Sequence, residues 1–392
     1  MRFAWPAAAP HVSSALFERY CSLRSRLLMS QKFQHLASKI PISRGIARKS
    51  SGDVFDLVAG FVYSQILLAC VQLRLFDHLS SGTQTLDGLA QLMGLRPDAA
   101  QRLLAGAAAL GLVTSLRDNR YCLGFRGAAI AGNAGVMRMI EHHSLFYADM
   151  ADPVALLRGE VKASNLSQYW SYCVEDPHRL TGSDVAGYTQ LMSQSQALVS
   201  GQILDAYPVG KHHKILDIGG GEGTFLLSAA ERAPHLEMTL FDVPAVAERA
   251  RKNFEARGLN SRATAIGGDF FLDPLPQGAD LISLVRIVHD HDDDAVMQLL
   301  RRLRQVIAPG GALLIAEPMA GADRAAAVGD AYFNFYLMAM GSGRARTAAV
   351  IGQMLVAAGF EGVAQRKTNL PLQCSLVIAH VDAKKRKANL TS

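Results

Sequence analysis

The chain has 392 residues, of which 49% are hydrophobic and 19% are charged. This length suits two domains, each with enough apolar residues for a core of its own, and the composition excludes a mostly disordered chain. The net charge of +6 is uneven, because residues 1–50 carry +8 and residues 381–392 carry +3, which leaves −5 in the middle. A mildly acidic body is not expected to bind nucleic acid, since such proteins place positive charge on a structured face.

The basic tails have two interpretations. They can lie on an anionic membrane surface, or they can be disordered extensions that keep the protein in solution. The five cysteines are Cys21, Cys70, Cys122, Cys173 and Cys374. An odd number of widely spaced cysteines without a CxxC pair indicates a reducing compartment and no metal knuckle. We therefore expect a cytoplasmic protein that holds no metal.

Residues 51–130 have the pattern of a winged-helix domain. A long helix is predicted over 53–79, and its uncharged stretch, 57–73, is too short and too polar for a good membrane span, so a buried or dimer-forming helix is expected. Two shorter helices follow, the first capped by Thr85, and then a hairpin. The segment in the place of a DNA-recognition helix, "DAAQRLLAGAAALGL", has one arginine and a broad apolar face, which favours protein packing over phosphate contact.

The remainder of the chain is predicted to be an α/β domain behind a helical segment. After Lys214, short Val/Ile/Leu runs alternate with helices, and two further strands end the pattern as an antiparallel pair. Such alternation indicates a mostly parallel sheet, here of seven strands, covered by helices on both faces. The expected domains are a basic N-terminal extension (1–50), a winged helix (51–130), a helical linker and substrate-pocket region (131–205), the α/β domain (206–381) and a basic C-terminal tail (382–392).

A glycine-rich loop follows the first strand of the α/β domain in "ILDIGGGEGTF". Gly219, Gly221 and Gly223 recur at every second position, which does not match the spacing of a dinucleotide fingerprint. The loop favours a nucleoside without a pyrophosphate, bound through backbone N–H groups at a helix N-terminus.

Side chains near the ends of the neighbouring strands fit the same ligand. Asp242 ends the second strand, where it can accept hydrogen bonds from both ribose hydroxyls. After the third strand, Asp269 can bind an exocyclic amine and Phe270 can cover the adenine face. We also assign Asp217 and Arg286 to this site. The spacing of the glycines and acids therefore predicts S-adenosylmethionine as the cofactor, ahead of NAD.

These motifs together resemble the S-adenosylmethionine-dependent O-methyltransferases of the caffeate and hydroxyindole type. The resemblance covers residues 52–380 and rests on "LDIGGGEG", "FDVP", "GGDFF", "HD" and "PGGALLIAEP", in this order. It implies a Rossmann-like methyltransferase fold, preceded by a mainly helical winged-helix dimerisation domain, and a homodimer. The "VFDLVAGFVYSQILLA" helix, the "HDHDDD" variant and the basic extension resemble the bacterial carotenoid enzymes within that family.

His289 is the candidate catalytic base. Methyl transfer from a sulfonium requires an oxygen aligned with the methyl carbon and a group that removes its proton. The resemblance places the family's base at His289, just beyond the fourth strand, and its first orienting carboxylate at Glu317. An imidazole of ordinary pKa is neutral enough at cellular pH to accept the proton. Ala345 stands where the family has a second orienting glutamate, so Glu317 acts alone or with Asp290.

The acidic stretch "RIVHDHDDDA" (286–295) also has other interpretations. A metal site built on His289 and His291 is disfavoured, because no cysteine or third histidine joins them. The three aspartates 292–294 are expected to begin the next helix, where negative charge is favourable. A structural role is the alternative for His289, and no chemistry is assigned to His291.

Three functions are consistent with these features. The first is methyl transfer to the hydroxyl of a hydroxycarotenoid, with apolar residues of 331–343 and 187–194 lining a long groove. A substrate dissolved in the inner, photosynthetic membrane would give the basic tails a use. The second is the same chemistry on a phenolic or polyketide small molecule. The third is a winged-helix regulator with a methyltransferase domain as ligand sensor, against which the intact Asp242, His289 and Glu317 argue.

Overall fold

A computed structural model of the chain describes residues 14–169, 196, 199–321, 327–369 and 374–382. The chain divides into two compact units, Met1–Ala128 and Ala129–Ser392, and each is described by itself. The basic tail beyond Asp382 and the 187–194 part of the expected groove lie outside the described residues.

The first unit consists of helices and a small antiparallel sheet. Its helices are α1 (Ser14–Met29), α2 (Gln31–Lys39), α3 (Pro41–Gln72), α4 (Leu75–Ser80), α5 (Leu86–Leu92) and α6 (Pro97–Ala109), and α7 (Phe125–Ala131) follows the sheet. The strands β1 (Gln84–Thr85), β2 (Val113–Ser115) and β3 (Arg120–Leu123) pair in the order β1-β3-β2. Helices followed by a hairpin are the winged-helix order that the sequence predicted.

Local sequence signals explain the boundaries of the short helices. The side-chain oxygen of Thr85 accepts the N–H of Gly88 at 3.1 Å, which caps α5. Pro97 opens α6, where its missing N–H costs nothing. Gly94 and Gly111 take positive φ just beyond α5 and α6, as residues that end helices commonly do.

The N-terminal part differs from expectation in three ways. Residues 14–50 are helical, so the interpretation as a disordered extension is wrong for them. The long helix predicted over 53–79 is two helices, because Arg74 adopts a left-handed conformation (φ 55°) between α3 and α4. By length and composition alone, Ser51–Gln72 meets the criterion for a membrane-spanning helix, contrary to the expectation for 57–73, although core helices of other proteins meet it too.

The second unit combines a helical segment with an α/β sheet. Its helices are α8 (Ala134–Asp149), α9 (Pro153–Leu157), α10 (Asn165–Tyr169), α11 (199–206), α12 (Thr224–Arg232), α13 (Pro244–Ala256), α14 (Asp293–Val306), α15 (Asn334–Met340) and α16 (Ala348–Ala357), with a π-helical turn at Ala327–Phe333. Its strands are β4 (Lys214–Ile218), β5 (Glu237–Asp242), β6 (Ala263–Gly267), β7 (Leu281–Val285), β8 (Ala312–Glu317), β9 (Glu361–Arg366) and β10 (Ser375–His380).

The seven strands form one sheet in the order β6-β5-β4-β7-β8-β10-β9. The first five are parallel to one another, and β10 runs antiparallel to both β8 and β9. This confirms the predicted mostly parallel sheet with a C-terminal antiparallel pair. The chain moves outward from β4 to β6 and then returns to place β7 on the other side of β4. Parallel sheets bind ligands outside the carboxyl ends of the strands at such a switch point.

Helices cover both faces of this sheet. On one face, α11 to α13 contribute fully buried side chains such as Ile203, Phe225 and Phe254 to a common core. On the other, α14 and α16 pack residues such as Leu299 and Leu355 against the strands. Burial on both sides explains why β4, β7 and β8 are nearly continuous apolar runs rather than alternating ones.

The centre of the sheet is expected to be sensitive to cavities. Leu284 on β7 is completely buried, so Leu284→Ala should lower the free energy of unfolding by about 2–5 kcal/mol, through lost burial and an unfilled cavity. Leu272 is 73% exposed, and the matched Leu272→Ala should cost less than about 0.5 kcal/mol. Urea unfolding followed by circular dichroism measures both. Equal costs would contradict the position of β7 in the core.

Candidate active site

The predicted site residues gather at the carboxyl edge of the sheet. Asp217 lies in β4, directly before the glycine loop, and Asp242 ends β5. His289 follows β7, and Glu317 ends β8. Since these strands are neighbours in the sheet, residues far apart in sequence meet at the switch point between β4 and β7.

The glycine loop combines three positive φ angles with close internal packing. The angles are 66° at Gly219, 60° at Gly221 and 84° at Gly223. A Cβ atom at Gly219 would lie 2.3 Å from Ile287, and one at Gly223 would lie 2.6 Å from Phe254, whereas one at Gly221 would meet nothing within 4 Å. Gly221 is therefore the glycine that faces open space. The other two are required by packing within the protein, a reason that their spacing did not indicate.

The two aspartates beside this loop have different environments. The carboxylate of Asp242 accepts N–H groups from Gly221 at 2.8 Å and from Val243 at 2.7 Å. Burial raises its pKa to about 6 despite these donors. Asp217 is completely buried beneath the loop, and one of its oxygens accepts the hydroxyl of Ser283 at 2.6 Å. Its other oxygen has no hydrogen-bond partner among the described residues and would lie 2.5 Å from a Cβ at Gly220, so Asp217 packs closely against the loop. Burial raises its pKa to about 7.

The third acid and its aromatic neighbour lie in the turn after β6. The Asp269 carboxylate accepts the N–H of Phe271 at 2.7 Å, so the turn itself uses part of its hydrogen-bonding capacity. The ring of Phe270 is half-buried and lies 4.7 Å from Phe271 and 5.6 Å from His291, between ring centroids. His291, for which we predicted no chemistry, thus packs edge-on against two phenylalanines.

His289 is held between two carboxylates. It lies in a short turn, Val288–Asp290, and its backbone N–H donates to Glu317 Oε2 at 3.0 Å. The imidazole Nδ1 is 3.4 Å from the same oxygen, and Nε2 is 3.0 Å from Asp290 Oδ1. Both distances are within ion-pair range, although the angles at Nδ1 and at Asp290 Oδ1 are not those of hydrogen bonds.

These contacts change the expected protonation of the candidate base. Burial alone would lower the pKa of an imidazole, but the carboxylates of Asp290 and Glu317 outweigh burial and raise the pKa of His289 to about 9. The carboxylates therefore favour the protonated imidazole, whereas the sequence analysis assumed an ordinary pKa. The carboxylate of Asp290 contributes most to this rise, and the sequence analysis gave Asp290 only as an optional helper of Glu317.

A buried arginine, which the sequence analysis missed, fixes the turn. The Arg346 guanidinium is almost completely inaccessible and donates to the carbonyl oxygens of Val288 at 2.8 Å and His291 at 2.7 Å. It also donates to Asp293 Oδ1 at 2.7 Å, at the start of α14. Arg346 follows Ala345, so the segment that lacks the family's second glutamate supplies the clamp on the backbone around His289.

Two histidine–tyrosine pairs, also missed, lie on the helical side of the site. The phenolic oxygens of Tyr332 and Tyr336 are 2.8 Å from His143 Nε2 and 2.7 Å from His142 Nε2. Burial and the neighbouring imidazole lower the pKa of His142 to about 4. Phe333 connects this group to the candidate base, since its ring centroid is 5.0 Å from Tyr332 and 6.1 Å from His289. The "HH" dipeptide at 142–143 was the available signal.

Among the described residues, no group of three or more His, Cys, Asp or Glu side chains is arranged so that it could hold a metal ion. Arg286, the last of the predicted residues, has a left-handed backbone (φ 61°) and donates its N–H to the carbonyl of Ala316 at 2.8 Å. Its side chain is half-buried, and its charge opposes the burial effect that raises the pKa of Tyr332. Arg286 therefore belongs to the same edge of the sheet as His289.

Comparison with known proteins identifies the family. Two family models match: the O-methyltransferase dimerisation domain over residues 55–131 and the O-methyltransferase domain over residues 147–361. A protein named demethylspheroidene O-methyltransferase, from Cereibacter sphaeroides, is 41% identical over 338 residues, which cover 86% of this chain and 89% of the relative. The chain belongs to the O-methyltransferase family. As a member, it is an S-adenosylmethionine-dependent O-methyltransferase, which confirms the predicted enzyme class and cofactor.

Other relatives agree with this assignment. A second protein with the same name, from Rhodobacter capsulatus, is 37% identical to this O-methyltransferase over 355 residues. The match covers 91% of this chain and 88% of the relative. Among solved structures, the mitomycin 7-O-methyltransferase MmcR matches with a TM-score of 0.71 at 22% identity, over 86% of this chain and all of that one. This structural likeness confirms the predicted fold.

The edge of the sheet fits the methyl donor of such an O-methyltransferase. The space at Gly221, where a Cβ would meet nothing, leaves room above the loop. Asp242 accepts two backbone N–H groups and still has acceptor capacity for hydroxyl donors. A carboxylate at the end of the second strand, an open glycine and the Phe270 ring are suited to a nucleoside with a ribose and an adenine.

The turn that carries His289 should be sensitive to a single methyl group at Gly343. A Cβ there would lie 2.1 Å from the carbonyl oxygen of His289, and φ is +82°. Gly278 has φ +84° and nothing within 4 Å, so Gly278→Ala is a matched control for backbone strain alone. Backbone strain should cost both variants about 1–2 kcal/mol of stability. Gly343→Ala should lose more than this because of the clash, and it alone should also lower kcat/KM by about tenfold or more. Thermal unfolding and a methyl-transfer assay measure the two effects; similar kcat/KM values would contradict the contact.

Proposed function

We propose that this enzyme transfers a methyl group from S-adenosylmethionine to the hydroxyl of a hydroxycarotenoid of the demethylspheroidene or hydroxyneurosporene type. The observation that carries the proposal is the 41% identity to a relative of that name, over 89% of its length. Relatives at 30% identity or below are named for other acceptors, such as acetylserotonin and a naphthoate. A phenolic or polyketide acceptor is the alternative that the assay below distinguishes.

His289 is proposed as the catalytic base and Glu317 as its orienting carboxylate. Bound S-adenosylmethionine supplies a methyl group on a positively charged sulfur. Glu317 holds the backbone N–H of His289 and lies beside Nδ1, so Nε2 is the nitrogen that can take the proton of the acceptor. The Asp290 carboxylate lies 3.0 Å from that nitrogen, so the acceptor hydroxyl must displace this carboxylate to reach Nε2.

The two carboxylates have a chemical advantage for an aliphatic alcohol. Such an alcohol is a far weaker acid than a phenol, and a base of higher pKa accepts its proton more readily. Asp290 and Glu317 stabilise the imidazolium that forms, which raises the pKa of His289 to about 9. The cost is that the neutral imidazole is the minor form at neutral pH, so this advantage is greatest near and above pH 9. Proton removal is proposed to be concerted with attack.

The cofactor contacts are proposed on the same basis. The glycine loop would approach the methionine part, Asp242 would accept the ribose hydroxyls, and Asp269 with Phe270 would hold the adenine. Asp217 would act indirectly, by supporting the loop. We keep Arg286 in this set, because its charge lies at the same edge of the sheet.

We further propose that the enzyme forms a homodimer through its dimerisation domain. The five-part domain division predicted from the sequence is kept as a proposal. The match to that domain over residues 55–131 supports the dimer. The two demethylspheroidene relatives come from bacteria. We place this enzyme in the cytoplasm, with peripheral contact to the inner, photosynthetic membrane through its basic regions.

The acceptor and the base can be tested together. Enzyme with tritiated methyl donor should label a detergent-dispersed hydroxycarotenoid and leave catechols unlabelled. His289→Ala should lower kcat by about 10²–10⁴-fold, as expected for loss of a general base, while calorimetry shows unchanged cofactor affinity. Labelling of catechols without labelling of the carotenoid would reject the acceptor, and a rate within a few-fold of wild type would reject the base.

The pH dependence tests the role of Asp290. Because His289 must be neutral to act, kcat/KM should rise with pH toward a midpoint near the pKa of about 9. Asp290→Asn removes a negative charge beside Nε2, so the midpoint should move to lower pH. The raised pKa also stabilises the folded state fully below about pH 6.5, the ordinary value, and this contribution is lost as pH rises through 9. An unmoved midpoint in Asp290→Asn would show that Asp290 does not act on His289.

A further inference from the structure

Helix α1 presents an apolar stripe to solvent. Leu16, Tyr20, Leu23 and Leu27 are spaced by four, three and four residues, which places them on one side of a helix. All four are exposed, by 46 to 66%. A side of a helix that is consistently apolar and consistently exposed is a surface without a partner within this chain's described residues.

Helix α2 continues the same character. Ser30 separates the two helices, and its hydroxyl accepts the N–H of Phe33 at 3.4 Å, which starts α2. Phe33 and Leu36, three residues apart, are both exposed. The two consecutive helices therefore both carry large apolar side chains that the first unit leaves uncovered.

Charge distinguishes this surface from an interface between copies. Residues 1–50 contain nine Lys or Arg and a single acid, Glu18. The α1 arginines are Arg19, Arg24 and Arg26, and the guanidinium of Arg24 lies 5.9 Å from the centre of the Tyr20 ring. Packing α1 against α1 of a second copy would bring like charges together, which is unfavourable. An apolar stripe bordered by arginines has the composition of a helix that lies on an anionic bilayer.

A second exposed apolar stretch, on α3, has a different composition. It includes Val54, Leu57, Val58 and Phe61, which are exposed by 59 to 83%, and Asp53 and Asp56 lie beside them. Nearly all of it falls within the residues matched by the dimerisation domain. The α3 stretch is therefore suited to the proposed second copy, whereas the α1 stripe lies outside that match.

We propose that α1 and α2 form an interfacial membrane-docking segment that lies in the plane of an anionic bilayer. Leu16, Tyr20, Leu23 and Leu27 would enter the boundary of the acyl chains, while the arginines contact lipid phosphates. The purpose of this docking rests on the proposed function, since a carotenoid acceptor is dissolved in the bilayer. The docking itself is separable from the chemistry.

Vesicle co-sedimentation of the full-length enzyme tests the proposal. Vesicles of phosphatidylcholine alone are compared with vesicles that also contain phosphatidylglycerol. We expect the bound fraction to be at least tenfold higher with phosphatidylglycerol and to fall as salt is raised. The variant Leu23→Asp/Leu27→Asp should lose at least tenfold of this binding. Equal binding to both vesicle types, or full binding by the variant, would overturn the proposal.

Two aspartates on the polar side of the same helix provide the matched control. Ser22 and Ser25 are exposed and lie on the side of α1 away from the stripe. Ser22→Asp/Ser25→Asp changes the charge by the same amount, and should keep most of the binding, because the apolar stripe is intact. If both double variants lost binding equally, charge alone would explain it and the stripe would have no role.

Further measurements separate this proposal from its alternatives. Circular dichroism and methyl transfer to a detergent-dispersed acceptor should be unchanged in both double variants, since neither changes a residue of the second unit. Light scattering should show an unchanged oligomeric state; a changed state in Leu23→Asp/Leu27→Asp, with vesicle binding retained, would assign the stripe to a second copy. His289→Ala should bind vesicles like wild type. The docking result can therefore be interpreted even if the proposed base or acceptor is wrong.

Discussion

The chemistry of the acceptor side depends on how the turn after β7 is held by two buried charges. Glu317 is completely inaccessible and accepts the backbone N–H of His289. Arg346, also buried, donates to the carbonyl oxygens of Val288 and His291, on either side of that N–H. A buried charge without partners is strongly destabilising, so the turn and the two charges require one another. The position of the imidazole is therefore set through its backbone before any substrate binds.

This anchoring explains how the site can do without the family's second orienting glutamate. Ala345 stands in its place, and the next residue, Arg346, fixes the backbone instead of the ring. The imidazole ring itself interacts with Asp290, whose carboxylate is 3.0 Å from Nε2. The two carboxylates raise the pKa of His289 to about 9 and so favour its protonated form. The proposed base is therefore tuned most strongly by the residue that follows it in the chain.

The parts of this structure that follow from local pattern were predictable, and those that depend on long-range side-chain contacts were not. The parallel strands, the Thr85 cap and the acidic start of α14 each have a short sequence signature. Arg346 donates to the carbonyl oxygens of Val288 and His291, which lie 58 and 55 positions earlier in the chain. No motif around Arg346 indicates these contacts. The packing of Gly219 against Ile287 depends likewise on tertiary proximity. The pKa of His289 depends on the direction in which the Asp290 carboxylate points, and the neighbouring sequence does not reveal that direction.

The uneven charge of the chain gains a physical meaning from the helices at its N-terminus. The basic residues of 1–50 largely belong to ordered helices with exposed apolar side chains, whereas residues 51–380 carry a net charge of −5. An anionic lipid surface attracts the first group and repels the second, and at physiological ionic strength both effects act only within about 8 Å. Attraction is therefore concentrated at α1, α2 and the start of α3, where Arg44, Arg48 and Lys49 lie. Under the proposed docking, the same sign pattern would leave the acidic body of the chain away from the lipid surface.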